Sequence, residues 1–152
     1  MSVTVGFDTK ALDKLIRASQ DAQKQIKPEV NKALDKIYDR ITEGAEATVK
    51  PHKRTGKTEE SIVPKQIKWK GQGTVEMGAG YSVRTGGIAS IFLMYGTPRH
   101  SMGSKFHPGS PKDQAMYDVF FSHEAIEANT KEFKDALQNA ILKGLEIKNT
   151  RG

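Results

Sequence analysis

The stretch KRTGKTEES, residues 53–61, separates a long helical pattern from a β-like pattern, and it therefore decides how the fold is divided. Its centre, Gly56-Lys57-Thr58, matches the end of a phosphate-binding loop. Such a loop needs a glycine five positions before the glycine-lysine pair, so that backbone N–H groups can surround the phosphates. That position is Pro51, which has no N–H group, and a helical pattern rather than a buried strand precedes it. The sequence therefore argues against a nucleotide site.

The residues before this stretch have the pattern of one long amphipathic helix. Apolar or small residues recur at steps of three and four, and either Asp8 or Thr9 is a suitable N-cap. Pro28 interrupts the pattern, so we expect a kink or a break near Ile26 and Lys27. The stripe consists of Leu12, Leu15, Ile16, Ser19, Ala22, Ile26, Val30, Ala33, Ile37, Ile41, Ala45 and Thr48.

β-branched and aromatic residues dominate from Ile62 onward. The segments IVPKQIKW, GTVEMGAG and IASIFLMYG are separated by glycine-rich turns, and they predict three or four antiparallel strands. Pro64 places the first of them at a sheet edge or at a bulge. Trp69 shares a face with Ile67 and is expected to pack in the protein rather than to stack on a nucleobase. A further short strand is predicted near the N-terminus from three alternating apolar residues, Val3, Val5 and Phe7.

Residues 96–113 form a long segment rich in Gly, Pro and Ser, which predicts an irregular loop. Helical periodicity returns after Ser122, a suitable N-cap, and residues 148–152 are expected to be a flexible polar tail. The apolar side of this helix is predicted at Ile126, Thr130, Phe133, Leu137, Ala140, Ile141 and Leu145. The predicted fold is one α+β domain over residues 1–147, with a long kinked N-terminal helix and a C-terminal helix packed on a small antiparallel sheet of three to five strands.

The chain has 152 residues, the usual length of one domain, and contains no cysteine. Disulfides, thiolate metal ligands and a cysteine nucleophile are therefore excluded. No apolar run approaches the roughly 20 residues of a membrane span, and the N-terminus MSVTVGFDTK lacks the features of a signal peptide. We expect a protein without membrane contact that is kept in a cytoplasm-like solution.

The net charge of +6 is concentrated in the middle of the chain. Residues 49–112 carry +8, whereas residues 1–48 sum to zero and residues 113–152 carry −2. Residues 77–112 contain no acidic residue. This asymmetry predicts a face turned toward nucleic acid or an acidic protein surface, and a basic solvated surface is the alternative. The candidate residues for contact with DNA or a partner are Lys50, Lys53, Arg54, Lys57, Lys65, Lys68, Lys70, Arg84, Arg99 and Lys105.

No constellation of residues commits the sequence to catalysis, and we expect no enzyme, no cofactor and no metal. Of the four histidines, only His100 and His107 share a loop, where no nearby acidic residue completes a ligand set. A Ser-His-Asp triad stays open because triads assemble in space, but there is no Gly-x-Ser-x-Gly elbow. The adjacent Glu59 and Glu60 point apart on a strand or a helix, which favours a solvated or capping role.

Three short motifs resemble the small neck or tail-completion proteins of tailed bacteriophages, which lie between the head connector and the tail tube. In that family a long helix ends in Pro-x-x-Thr-Gly-x-Leu-x-x-Ser-Ile, and an aliphatic strand ends in Glu-aromatic-Gly-Thr. The third motif is Phe120-Phe121 before the last helix. This chain departs at Thr58 and Met94, and it has one extra residue between Pro51 and Thr55. The matching positions are Thr55, Gly56, Ser61, Ile62, Tyr95, Gly96 and Thr97.

The resemblance implies a non-enzymatic virion protein that completes or joins the head–tail interface. Copies would assemble in the host cytoplasm into a ring around the DNA channel. The implied partners are connector or head-completion proteins and tail-tube or tail-terminator proteins, together with sequence-independent contact with DNA. The Thr55-Gly56 turn would form a fixed hinge between helix and sheet. The edge strand near residues 62–69 and the loop of residues 96–113 are expected to make the contacts. A stand-alone basic nucleic-acid-binding module is the alternative.

Overall fold

The computed structural model describes residues 2–6, 20–70 and 74–150 and confirms an α+β protein with long N-terminal and C-terminal helices. Two small sheets are present in these residues, where the sequence predicted one. Helices and strands, in chain order, are β1 (Ser2–Gly6), α1 (Gln20–Val49), α2 (Lys57–Glu60), β2 (Ile67–Lys70), β3 (Thr74–Gly80), α3 (Ile88–Tyr95), β4 (His100–Met102), β5 (Lys105–His107), α4 (Gln114–Phe121) and α5 (His123–Thr150). Short 3-10 turns lie at Lys50–His52 and Val83–Thr85.

Helix α1 follows the predicted apolar stripe. Of the kink or break expected near Ile26 and Lys27, the break is not observed, because the helix runs without interruption through Pro28. The Pro28 side chain is exposed, so its ring does not disturb the buried side of the helix. Packing of that buried side outweighs the roughly 3 kcal/mol that an internal proline costs. The buried residues of α1 are Ile26, Val30, Ala33, Leu34, Ile37, Tyr38, Ile41, Ala45 and Val49, while Phe7 and the stripe positions from Leu12 to Ser19 lie outside the described residues.

The first sheet has the strand order β1-β3-β2. β2 and β3 pair antiparallel, with Trp69 opposite Val75 and Ile67 opposite Met77. The strand predicted from Ile62 begins only at Ile67, since Pro64 interrupts the pairing and leaves Ile62 in an isolated bridge to Tyr81. The predicted edge position of this strand is confirmed, because β2 is terminal in the strand order.

The apolar run of residues 88–95 is helix α3, and its prediction as a strand was wrong. A continuous apolar run of this length does not reveal its period, so strand and helix are difficult to distinguish. At the start of the helix the Ser90 amide donates to the Gly87 carbonyl at 3.0 Å, and the Ser90 hydroxyl donates to the same oxygen at 2.6 Å.

The segment of residues 96–113 was predicted as an irregular loop, but it contains the hairpin β4–β5. Helix α4 follows, capped by Asp113, whose Oδ1 accepts a hydrogen bond from the Met116 amide at 2.9 Å. The capping role of Ser122 is confirmed, because its Oγ accepts from the Ala125 amide at 3.1 Å. Short helices and hairpins of this kind lack the long periodicity on which the sequence prediction depended.

Helix α5 continues to Thr150, so the tail predicted from residue 148 is helical as far as the structure describes it. Its buried side is centred on Phe133 and Ala140, as predicted, but it begins at Asn129. Ile126 is 51% exposed and does not belong to the buried side.

The chain forms two compact units. One contains residues 40–64 and 79–126, and its core includes Tyr81, Met94 and Phe120. The other contains residues 20–39, 65–70, 74–78 and 127–150, with a core that includes Ile37, Met77 and Phe133. The single domain expected over residues 1–147 stays a prediction.

Candidate functional site

The segment around Gly56 is a turn that opens helix α2. Gly56 has φ +78°, a left-handed conformation that favours glycine. The Lys57 amide donates to Thr55 Oγ1 at 3.4 Å. Ser61 is buried, and its hydroxyl donates to the Thr58 carbonyl at 2.7 Å instead of accepting from an amide. These bonds fix the direction in which the chain leaves α2.

Ser61 and Ile62 connect this turn to the end of β3. The Ser82 amide donates to the Ser61 carbonyl at 2.8 Å, and Ile62 forms a bridge with Tyr81. The Tyr81 hydroxyl donates to the Ala45 carbonyl at 2.7 Å. Burial raises the pKa of the Tyr81 phenol well above its usual range, so it remains a neutral donor. The turn is therefore tied both to the long helix α1 and to the sheet.

Gly87 brings the start of α3 against the same turn. A Cβ at Gly87 would lie 2.6 Å from Ser61 Oγ and 2.8 Å from the Ser82 carbonyl oxygen. Real Cβ atoms do not approach so closely, so this packing requires glycine at position 87. The first motif and helix α3 therefore share one site in this unit.

The second motif, Tyr95-Gly96-Thr97, ends α3 and begins the next segment. Gly96 has φ +72°, and a Cβ there would lie 2.8 Å from the Ser110 carbonyl oxygen. The Thr97 amide donates to the Ser110 carbonyl at 2.9 Å, and the Ser110 amide donates to Thr97 Oγ1, also at 2.9 Å. The Tyr95 ring packs edge-on against Tyr117, with 5.7 Å between ring centroids. The motif thus closes the segment of residues 97–110 at its base.

A cavity of about 400 Å³ lies between the first motif and helix α3. Thr55 and Gly56 line one part of it, and Phe92 and Leu93 of α3 line another. Ser110, the partner of Thr97, also reaches the cavity. Four ionisable residues also line the cavity, namely His52, Lys53, Arg54 and Glu59. Residues about 40 positions apart in the sequence therefore form one concave site.

Helix α3 carries an exposed apolar face beside this cavity. Ile88, Phe92 and Tyr95 are 53%, 52% and 49% exposed, and Ala89 is exposed too. These residues lie at spacings that place them on one side of a helix. A helix at the surface of a soluble protein normally turns polar residues outward. Sequence reasoning missed this face because it assigned the run to a strand.

The basic candidate residues divide between the two units. Lys50, Lys53, Arg54, Lys57, Arg84, Arg99 and Lys105 belong to the unit that holds the cavity, and all seven are exposed. Lys53 forms an ion pair with Glu59 at 2.8 Å. Their hydrogen bond and opposite charges raise the pKa of Lys53 and lower that of Glu59. Among the described residues, Arg54, Lys57 and Arg84 form no ion pair within the chain.

Lys65, Lys68 and Lys70 belong to the other unit, so the structure does not unite the basic stretch predicted over residues 50–70. The Lys65 ammonium lies 3.2 Å from an Asp35 carboxylate oxygen, and this hydrogen bond raises the pKa of Lys65. Lys70 contacts Glu76 at 2.6 Å. Trp69 donates from its indole N–H to Asn31 Oδ1 at 2.9 Å.

The structure also brings together His52 and Asp113, which sequence reasoning did not pair. His52 Nε2 lies 2.5 Å from Asp113 Oδ2. The hydrogen bond from the Met116 amide, followed by the contact with His52, holds the pKa of Asp113 below its ordinary value. Since 61 positions separate the two residues, no local sequence signal could have identified the pair.

The other side chains considered for chemistry are His100, His107, Glu59 and Glu60. The rings of His100 and His107 stack at 4.9 Å between centroids across the β4–β5 hairpin. The part of the chain that the structure describes contains no group of three or more His, Cys, Asp or Glu side chains able to hold a metal ion. Glu59 forms its ion pair with Lys53, at 2.8 Å.

Comparisons of the chain with protein-family models, curated proteins and solved structures found no match. Within the described residues, none of the helices is both long enough and apolar enough to cross a membrane.

Proposed function

We propose that the chain is a non-enzymatic structural protein of a tailed-phage virion, which completes or joins the head–tail interface. In this proposal copies of the chain assemble as a ring around the DNA channel, in contact with connector or head-completion proteins and with tail-tube or tail-terminator proteins. The ring forms in the host cytoplasm and remains at the head–tail junction of the virion.

One observation carries the proposal: the first motif behind the phage resemblance lines a cavity together with residues that adjoin the second motif or bond to it. Thr55 and Gly56 come from the first motif, and Phe92 and Leu93 lie immediately before the second. Gly96 and Thr97 hold the segment that supplies Ser110 to the same cavity. Motifs that serve one architecture are expected to meet in space, whereas unrelated short matches have no reason to do so.

The surface of the same unit supports an assembly role. Ile88, Phe92 and Tyr95 expose large apolar side chains on one side of α3. Clustered apolar side chains at a protein surface are typical of sites that contact another macromolecule. A subunit that joins several virion proteins needs such contact surfaces, and heterologous contacts between copies close into rings when the rotation allows.

Native mass spectrometry of the purified chain over a range of concentrations tests the proposal. We expect one closed oligomer of defined copy number, and negative-stain images that show a ring with a central opening. Addition of short duplex DNA in a second series tests the alternative module. A chain that stays monomeric at every concentration and binds duplex DNA tightly would overturn the ring proposal.

A further inference from the structure

The exposed face of α3 and the adjoining cavity form one surface, here called the α3 groove. It consists of Ile88, Ala89, Phe92, Leu93 and the turn at residues 54–56. Large apolar side chains are concentrated here: among the described residues, four of the seven exposed large hydrophobic side chains lie within residues 83–95. Its cavity of about 400 Å³ is within the size range of ligand pockets, about 300 Å³ and above, and so has room for a large apolar side chain.

The charge around the α3 groove favours an anionic partner. The segment of residues 77–112, which contains α3, has no acidic residue and carries Arg84, Arg99, Lys105 and Lys112. On the opposite side of the cavity, Glu59 is already paired with Lys53, while Arg54 lines the cavity without an ion pair among the described residues. A guanidinium group binds a carboxylate through two parallel hydrogen bonds.

The apolar face favours a protein partner over nucleic acid. Base stacking requires accessible faces on aromatic rings. The Tyr95 ring is in contact with Tyr117 at 5.7 Å and with Phe121 at 6.3 Å between centroids. Ile88 is aliphatic and offers no stacking surface. Phe92 alone does not form a stacking platform, so the exposed area suits apolar side chains better than bases.

We propose that the α3 groove binds an acidic protein segment that inserts a large apolar side chain beside Phe92 and places a carboxylate against Arg54. This inference rests on the proposed function in assigning the segment to a neighbouring virion protein. The binding chemistry itself depends only on the groove. Apolar anchors in a pocket surrounded by polar contacts are the usual source of affinity at protein interfaces.

Selection from a random peptide library against the immobilised full chain tests the proposal. We expect enriched peptides to combine Asp or Glu with Phe, Leu, Ile or Trp. A fluorescein-labelled peptide of the enriched sequence is then titrated with the variant Phe92→Glu. The affinity of this variant for the peptide should be at least about tenfold lower than that of the unchanged chain. Leu142→Glu is the matched control, because Leu142 is 57% exposed on α5, and it should leave the affinity unchanged.

Two further variants separate binding from folding. Ala89→Trp fills the groove at an exposed helical position and should weaken binding while the circular dichroism spectrum stays the same. Arg54→Glu should weaken binding of the acidic peptide, and Lys68→Glu, at an exposed lysine of the other unit, should not. Equal binding by Phe92→Glu and the unchanged chain, or no enrichment at all, would overturn the proposal.

The other possible occupants give distinct results. Displacement of the peptide by single-stranded or duplex DNA would overturn the proposal in favour of nucleic acid. Self-association that Phe92→Glu abolishes, without any enriched acidic peptide, would assign the groove to a second copy and would also overturn it. Peptide binding by a chain that stays monomeric and binds duplex DNA tightly at another surface would leave this inference standing and overturn the proposed function, so the two failures are distinguishable.

Discussion

At Gly96 the backbone itself, and not a flexible side chain, opposes substitution. A Cβ there would lie 2.8 Å from the Ser110 carbonyl oxygen and 3.0 Å from the Lys112 nitrogen, and φ is +72° with ψ at 176°. We expect Gly96→Ala to lower the free energy of unfolding by at least about 2 kcal/mol, because this backbone region is nearly restricted to glycine. Urea unfolding followed by circular dichroism measures the loss.

Gly103 provides the matched control for this substitution. It has φ +62°, but a Cβ there would have nothing within 4 Å. Gly103→Ala should therefore cost only the left-handed conformation, about 1 kcal/mol. Equal losses at the two positions would show that close approach to Ser110 does not matter at Gly96.

Because the pKa of Asp113 is lowered in the folded chain, we expect the stability of the protein to depend on pH. This pKa is held below the ordinary 3.8 by the Met116 amide first and by His52 second. A lowered carboxyl pKa contributes stability that is present above the ordinary pKa and lost as pH falls through the folded value. In Asp113→Asn, the free energy of unfolding should therefore fall less steeply below about pH 4 than in the unchanged chain.

The variant His52→Ala separates the two causes. The hydrogen bond from the Met116 amide lowers the pKa of Asp113 more than the contact with His52 does. His52→Ala should therefore reduce the loss of unfolding free energy at acid pH by less than Asp113→Asn does. Urea unfolding at a series of pH values gives both slopes. If His52→Ala removed the whole effect, the capping bond would not be the main cause of the lowered pKa.

At the scale of elements, long helices could be predicted from sequence and helix α3 could not. The stripe from Ile26 to Ala45 repeats over several turns and has a charged opposite side, so its period is evident. In α3 the outward residues, such as Phe92, are apolar like the inward Met94, and the polar Ser90 is buried. Without a polar side the period is concealed, and the proposed contact surface is itself the reason that the prediction failed.

Helix α5 provides a prediction about helix stability. Gly144 lies in this helix, and a Cβ there would meet nothing within 4 Å. Gly144→Ala should therefore raise the free energy of unfolding by about 0.5–1 kcal/mol, because glycine is a poor helix former. Gly44→Ala in α1 is the control, because the new Cβ would lie 3.1 Å from Val119 Cγ1. This close contact should offset the gain in the free energy of unfolding that alanine gives in a helix. A larger gain at Gly44 than at Gly144 would contradict this reasoning.

At the scale of the whole molecule, sequence identified the motifs but not where they meet. Thr55 and Gly56 were recognisable as a turn because glycine and threonine have local signatures. Their convergence with Phe92 depends on the close approach of Gly87 to Ser61, which is set by tertiary packing. The same holds for His52 and Asp113, whose contact spans 61 positions. Local chemistry was therefore predictable, whereas the site assembled from it was not.

The number of cations in residues 50–70 overstates the cationic surface that this segment offers to DNA. Of the seven cations in residues 50–70, Lys53, Lys65 and Lys70 already pair with acidic side chains, which leaves four. Each phosphate contact contributes about −0.9 to the slope of log affinity against log salt, so we expect a slope shallower than about −4 for that segment. Fluorescence anisotropy with labelled duplex DNA over a salt series measures it. A monomer with a slope beyond about −6 would instead favour the basic nucleic-acid-binding module, because the paired lysines would then have exchanged their carboxylates for phosphates.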